Sequence, residues 1–181
     1  MALKVNPVQG VNVIVAAGSV DGIAGTAACL RHSNNREVQL VFTQPFQVNT
    51  IDVSEWPANS QVGLIDLGVN NEGVSPNPQM TIDFVNKIYQ AGHKILFIAA
   101  EHGKQAWTDV LKQCGHDKSE LTIKPKDRGE KYPSSCAILT KAFGESADGH
   151  TKALLHDGNQ TDLMKFDTHF GQIFNDAINP I

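Results

Sequence analysis

The sequence predicts an α/β fold, with a doubly wound, mainly parallel sheet flanked by helices. Short apolar runs alternate along the chain with segments of helical periodicity, as expected when crossover helices connect parallel strands. The apolar runs are nearly continuous, which is typical of strands buried on both faces. The 181 residues match the length of one ordinary domain and contain no internal repeat or convincing linker. We therefore expect a single domain over residues 1–181.

The predicted strands follow one another at intervals along the chain. Residues 11–17 form the first apolar run, and residues 37–43 (EVQLVFT) form a second with β-branched and aromatic character. Residues 62–67 (VGLIDL) and 94–99 (KILFIA) are two further apolar strands. Residues 51–53 suggest a short additional strand. Residues 152–156 (KALLH) fit either a late strand or a piece of helix.

Helices are predicted between these strands. Small residues over 22–32 give the first helix, and Asn77 and Pro78 begin a second that ends at Gly92. A third helix ends at Gly115, and Ser134 or Ser135 caps a fourth. Apolar residues at intervals of three and four over 163–177 predict a terminal amphipathic helix, whose phenylalanines would pack on the sheet or contact another subunit.

Composition narrows the classes of function. The formal net charge of -4 argues against broad binding to nucleic acid or anionic membranes. No apolar run is long enough to span a membrane and no signal peptide is visible, so a cytoplasmic protein is expected. The three cysteines, Cys29, Cys114 and Cys136, have neither disulfide nor metal-site spacing and are predicted to be reduced thiols.

Acidic residues stand just beyond several of the apolar runs. Asp21, Asp66 and Glu101 follow three predicted strands, and Asp157 follows a further apolar stretch. Because the carboxyl ends of parallel strands share one edge of the sheet, these side chains can converge there. Oxygen ligands suit Mg²⁺ or Mn²⁺, and His102 is a nearby candidate for contact with a phosphate. The alternative for each acid is a structural role as a turn former or helix cap.

The glycine-rich turn at 18–25 offers a second interpretation. Gly18, Ser19 and Gly22 precede or begin a helix, whose N-terminal amides can bind a phosphate. The spacing is not G-x-G-x-x-G, and the Lys and Ser/Thr of a P-loop are missing. This turn therefore carries only a weak nucleotide-binding signal.

Taken in order, several motifs resemble the N-terminal domain of the DHH phosphoesterase superfamily, which includes RecJ-like exonucleases and family II inorganic pyrophosphatases. The motifs are VDGIAGTAACL at 20–30, VGLIDLG at 62–68, GHKILFIAAEHG at 92–103, KYPSSCAILTKAFG at 131–144 and LLHDGNQTD at 154–162. The sequence departs from the family where ligands usually stand. Ala17 and Ser19 replace a His and an Asp, and the Asp-His-His signature becomes Ala100, Glu101 and His102.

The resemblance implies that one of the family's two metal sites has been lost. Of its first site only Asp66 would remain, whereas Asp21, Asp66, Glu101 and Asp157 would still hold one Mn²⁺ or Mg²⁺. Two-metal hydrolysis would then be lost, and no second, substrate-clamping domain is expected within these 181 residues. The resemblance therefore implies a binding or assembly module with a small phosphorylated ligand or a homo-oligomeric partner, and no required enzymatic activity.

Two alternatives remain open. One is a one-metal phosphohydrolase acting on a small phosphoester or nucleotide, with His102 facing the phosphate. The other is a nucleotide-binding α/β domain that uses the Gly18–Gly25 turn without any metal.

Overall fold

Four parallel strands form the sheet in a computed structural model that describes residues 6–33, 35, 37–71, 76–101 and 103–162. The strands are β1 (Val13–Ala17), β2 (Gln39–Thr43), β3 (Gln61–Ile65) and β4 (Lys94–Ala99). Their spatial order is β2-β1-β3-β4, and every neighbouring pair is parallel. The first strand, β1, therefore lies in the interior of the sheet. Strand β2 is added on one side of it and β3 and β4 on the other, as in doubly wound folds.

Five α-helices cover the two faces of this sheet. They are α1 (Val20–Ser33), α2 (Gln79–Gln90), α3 (Lys104–Gln113), α4 (Ser135–Phe143) and α5 (Gly149–Asp162). Helices α2 and α3 pack on one face, where Phe84 and Trp107 contact the strands. Helices α1, α4 and α5 pack on the other face, where Leu139 and Phe143 contribute to the core. The α/β fold with a parallel sheet flanked by helices is confirmed.

Burial of both faces explains why the strands read as continuous apolar runs. All five residues of β1 are buried, because odd and even positions each meet a layer of helices. Val13 and Val15 face α2 and α3, whereas Ile14 and Ala16 face the opposite layer. Edge strand β2 alternates between half-buried and exposed positions, because Val41 packs on the core at one face whereas Leu40 and Phe42 are exposed at the other.

The structure confirms the predicted C-terminal ends of α2 and α3 and the predicted start of α4. Gly92 and Gly115 follow α2 and α3 with φ values of +81° each, the left-handed conformation common after helices. Ser134 caps α4 by accepting a hydrogen bond from the Ala137 amide. Of the two serines that the sequence offered, the first is therefore the cap.

One local prediction is wrong, and another that left two possibilities open is decided by the structure. Residues 51–53 form no strand, because the Asp52 side chain accepts a hydrogen bond from Ser54 N and starts a 3-10 turn over Val53–Glu55. Residues 152–156 lie inside α5, so the helix is the correct one of the two predicted possibilities, and Asp157 follows no strand. In the segment that follows α3, Leu121 and Ile123 are buried, and Thr122 N donates to Leu96 O of β4.

Some predictions concern residues outside the described part of the chain. The amphipathic helix at 163–177 and the environment of His102 belong to this group. Among the residues that are described, no helix combines the length and apolar character needed to cross a membrane.

Candidate functional site

Three carboxylates meet at the carboxyl edge of the sheet. Asp21 is the second residue of α1, Asp66 directly follows β3, and Glu101 comes shortly after β4. One carboxylate oxygen from each lies within 4.8 Å of those of the other two. Asp21 and Glu101 are almost fully buried, with relative exposures of 4% and 1%. The parallel sheet thus brings together three of the four acids singled out in the sequence, and we call them the carboxylate cluster.

The fourth acid, Asp157, lies apart from this cluster. It is a half-buried residue in the third turn of α5, and the group of carboxylates within 4.8 Å of one another does not include it. Its neighbour Gly158 packs behind Asp21, because a Cβ built on Gly158 would stand 3.4 Å from Asp21 Oδ1. Asp157 is therefore the neighbour of a residue that packs against Asp21 and is not one of the three converging acids.

Asp21 organises the first turn of α4. Its Oδ2 accepts a hydrogen bond from Ser135 N at 2.6 Å, and its Oδ1 accepts one from Cys136 N at 3.0 Å. These amides have no partner within their own helix, and the positive end of the helix dipole favours a negative charge there. Asp21 thus has a structural role that holds α4 against α1, whatever else it binds.

Asp66 is held by two hydroxyl groups. Ser19 Oγ donates to Asp66 Oδ2, and Ser135 Oγ lies 3.1 Å from Asp66 Oδ1 and 2.6 Å from Glu101 Oε2. The backbone of Asp66 has φ +56°, a left-handed conformation that Asp tolerates better than most residues. The turn after β3 therefore points this carboxylate into the cluster.

Burial and mutual repulsion disfavour ionisation of two of these acids. Burial, together with the neighbouring charges of Asp21 and Glu101, raises the pKa of Asp66 from 3.8 to about 8. Burial likewise raises the pKa of Asp21 to about 6, although its hydrogen bonds from Cys136 and Ser135 oppose the shift. The metal-free cluster therefore retains a proton at neutral pH, chiefly on Asp66.

A proton on Asp66 also completes the hydrogen bonding around Ser135. The Ser135 hydroxyl has one proton but contacts oxygens of both Asp66 and Glu101. When Asp66 is protonated, it donates to Ser135 Oγ, and Ser135 donates to Glu101. The Ser135 hydroxyl thus links the two carboxyl groups into one network.

The amides of the glycine-rich turn have acceptors inside the chain. Gly18 N donates to Thr43 O at 3.2 Å, and Gly22 N donates to Ser19 Oγ at 2.9 Å. Gly22 has no room for a side chain, since a Cβ would stand 2.3 Å from Ala17 O. Close approach of α1 to β1 is therefore sufficient reason for this glycine, and phosphate contact at Gly18, Ser19 and Gly22 stays a prediction.

Gly158 offers a test of how tightly the helices pack behind the cluster. A Cβ at this position would stand 2.5 Å from Cys136 Sγ and 2.9 Å from Ala24 Cβ. We expect Gly158→Ala to lower the free energy of unfolding by about 1–3 kcal/mol, as overpacked substitutions do, measured by urea unfolding. Gly149→Ala in the same helix meets nothing within 4 Å and is the matched control. An equal effect of both substitutions would contradict this packing.

A cavity of about 510 Å³ gives access to the cluster from one side. Asp66, Glu101 and Ser19 line this cavity, and its other lining residues include Gln44, Phe46, Asn70 and Asn71. Its described lining includes neither Lys nor Arg. A larger cavity of about 1110 Å³, beside α4 and α5, includes none of the three carboxylates. The smaller cavity is therefore the one that chemistry at the cluster would use.

Sequence reasoning missed Ser135 as a member of the site. It considered the two serines before α4 only as helix caps, because Ser at such a position is explained by capping alone. The structure assigns the cap to Ser134 and places the Ser135 hydroxyl between Asp66 and Glu101. Only the position of α4 against α1 and β4 distinguishes these roles, and no local pattern encodes it.

Comparison with known proteins adds no relative from which function can be inferred. No family model, curated protein or solved structure matches this chain. The function must therefore be argued from the geometry of the carboxylate cluster and its cavity.

Proposed function

We propose that this protein is a divergent DHH phosphoesterase-like domain that binds one divalent cation, Mn²⁺ or Mg²⁺, at the carboxylate cluster. The observation that carries the proposal is the convergence of Asp21, Asp66 and Glu101 within 4.8 Å. Three carboxylates at this distance repel one another, and a hard cation with oxygen ligands relieves that repulsion. The raised pKa values of Asp66 and Asp21 are consistent with a cluster of this kind.

The surroundings of Asp66 favour one cation over two. At the positions where the DHH family has a His and an Asp, this chain has Ala17 and Ser19, and alanine supplies no ligand. Ser19 instead donates a hydrogen bond to Asp66 Oδ2, so a hydroxyl already contacts that oxygen. A two-metal hydrolase needs both ions to activate water and clamp the phosphate. We therefore propose a module that binds its ligand and does not hydrolyse it by the two-metal route.

The cavity suggests how a phosphorylated ligand would be held. Because its described lining contains no Lys or Arg, an anionic phosphate would depend on the cation for charge compensation. Gln44, Asn70 and Asn71 also line the cavity, and side-chain amides are able to donate hydrogen bonds to phosphate oxygens. Binding of a small phosphorylated ligand is therefore expected to require the metal.

An assay of phosphoester hydrolysis tests this proposal. With Mn²⁺ added, we expect no turnover of a nitrophenyl phosphodiester or of pyrophosphate above that of the ion alone, in the native protein and in Asp66→Ala alike. Turnover that requires Mn²⁺ and disappears in Asp66→Ala would contradict a binding module. That result would instead identify a one-metal phosphohydrolase.

A further inference from the structure

The outer edge of the sheet carries an exposed apolar surface. Leu40 and Phe42 of β2 are 40% and 48% exposed, and Phe46 in the following turn is 57% exposed. Leu40 and Phe42 lie beside Ile14 and Ala16 of β1, so both point to the face that carries α1. Within the described part of the chain, β2 pairs with β1 and has no second neighbour.

The backbone of β2 also presents hydrogen-bonding groups outward. Gln39 N donates to Asn12 O, and Thr43 O accepts from Gly18 N, so residues 39 and 43 face β1. Because the backbone groups of a paired parallel strand alternate between its two sides, Val41 also faces β1. The N–H and C=O groups of Leu40 and Phe42 therefore point away from the sheet.

This edge lacks the features that usually prevent strands from pairing. Natural sheet edges are protected by charged side chains, by proline or by a bulge. The segment Gln39–Thr43 (QLVFT) contains no charged residue and no proline, and its register with β1 is regular over all five residues. An uncharged, regular edge with exposed aromatic side chains is suited to the addition of another strand.

We propose that a second copy of this chain pairs with β2 in an antiparallel arrangement about a twofold axis at Val41. Leu40 then lies opposite the partner's Phe42, and the outward N–H and C=O groups of these two residues bond to each other. The twofold axis repeats this pairing between Phe42 and the partner's Leu40. The N–H and C=O groups of Leu40 and Phe42 are therefore all hydrogen-bonded. Gln39 lies opposite the partner's Thr43, which places polar side chains opposite polar ones.

This match of the strand with itself is the reason to commit to a second copy over an unrelated protein. A twofold axis requires the same surface on both subunits, with each residue meeting the counterpart of the other. The short sequence QLVFT meets that condition in backbone pairing and in side-chain character together. The result is a continuous eight-stranded sheet whose exposed leucines and phenylalanines are covered by each other.

Sedimentation equilibrium over about 1–100 µM tests the dimer, since interfaces of ordinary strength associate in this range. We expect twice the monomer mass for the native chain and at least tenfold weaker association for Phe42→Lys, which puts a charge against the partner's Leu40. Gln113→Lys adds the same charge at an exposed position on α3 and should associate normally. The double variant Leu40→Glu, Phe42→Lys should regain association, because each Glu then faces a Lys.

A monomer throughout this range would overturn the proposal, as would a dimer that Phe42→Lys leaves intact. Hydrogen exchange gives a measurement that needs no variant. The amides of Leu40 and Phe42 should exchange more slowly as the concentration of native protein rises. Exchange at these two amides that does not change with concentration would contradict pairing at β2, even if the protein were dimeric through another surface.

Discussion

The metal-free protein should lose stability as the pH rises from about 5 to about 9, and Asp66→Asn should remove most of that loss. Asp66 has a folded-state pKa of about 8 against 3.8 for the ordinary side chain, and Asp21 has one of about 6. Between the ordinary pKa of 3.8 and the folded-state value of each residue, the folded chain binds more protons than the unfolded chain. The stabilisation from those protons is complete below pH 4 and is lost as the pH passes 6 and then 8.

The expected effect of Asp66→Asn at high pH is large. Since one pKa unit corresponds to about 1.4 kcal/mol, the neutral amide should stabilise the metal-free protein by several kcal/mol near pH 9. Asn can accept from Ser19 and donate to Ser135, as the protonated carboxyl does. Urea unfolding in the presence of a chelator, at several pH values, measures this difference.

The control for this experiment is Asp148→Asn. Asp148 pairs with Arg31 at 3.0 Å, and the hydrogen bonds from Arg31 and Thr151 hold the pKa of this exposed carboxyl well below its usual value. Its replacement should therefore give no stabilisation at high pH. Stability that is constant or rising from about pH 5 to about pH 9, or destabilisation by Asp66→Asn throughout, would contradict a repulsive cluster.

The affinity for Mn²⁺ should rise with pH and depend strongly on Asp66. The carboxyl proton of Asp66 must leave before the ion binds, so below pH 8 the affinity should rise by up to about tenfold per pH unit for one released proton. Loss of an outer-sphere partner already weakens metal binding by about 10–100-fold. Asp66→Asn replaces a charged ligand with a neutral amide oxygen, and its loss of affinity should therefore exceed that range. Isothermal titration with Mn²⁺ measures both effects.

Asp157→Asn makes the same chemical change outside the carboxylate cluster. Because Asp157 does not converge with the other three acids, we expect its replacement to change the affinity by less than about tenfold. A loss equal to that of Asp66→Asn would mean that α5 moves towards the ion and that the ligand set implied by the DHH resemblance is complete. Comparison of Asp66→Asn with Asp157→Asn therefore distinguishes a ligand set of three acids from one that also includes Asp157.

The fold and the three converging acids were predictable because both follow from simple patterns. Apolar runs such as residues 94–99 are long enough and isolated enough to identify strands, and a parallel sheet places the residues after them at one edge. Asp21, Asp66 and Glu101 are therefore brought together by the order of the strands alone. Strand β4 has the bounds that the sequence predicted.

What the sequence left open or missed depends on contacts between distant segments. Residues 152–156 are apolar enough for a strand, and only their packing against α1 and α4 selects a helix and removes Asp157 from the sheet edge. Ser135 enters the site because Asp21 binds the first turn of α4, a contact between residues more than 100 positions apart. Local patterns carry no information about such a contact.

The central claim, one divalent cation held by the carboxylate cluster, is tested most directly by anomalous diffraction from crystals soaked in Mn²⁺ near pH 8. The account predicts a single anomalous peak between the carboxylates of Asp21, Asp66 and Glu101, and no peak in crystals of Asp66→Asn treated in the same way. Two peaks at this edge, or none near the three carboxylates, would contradict it.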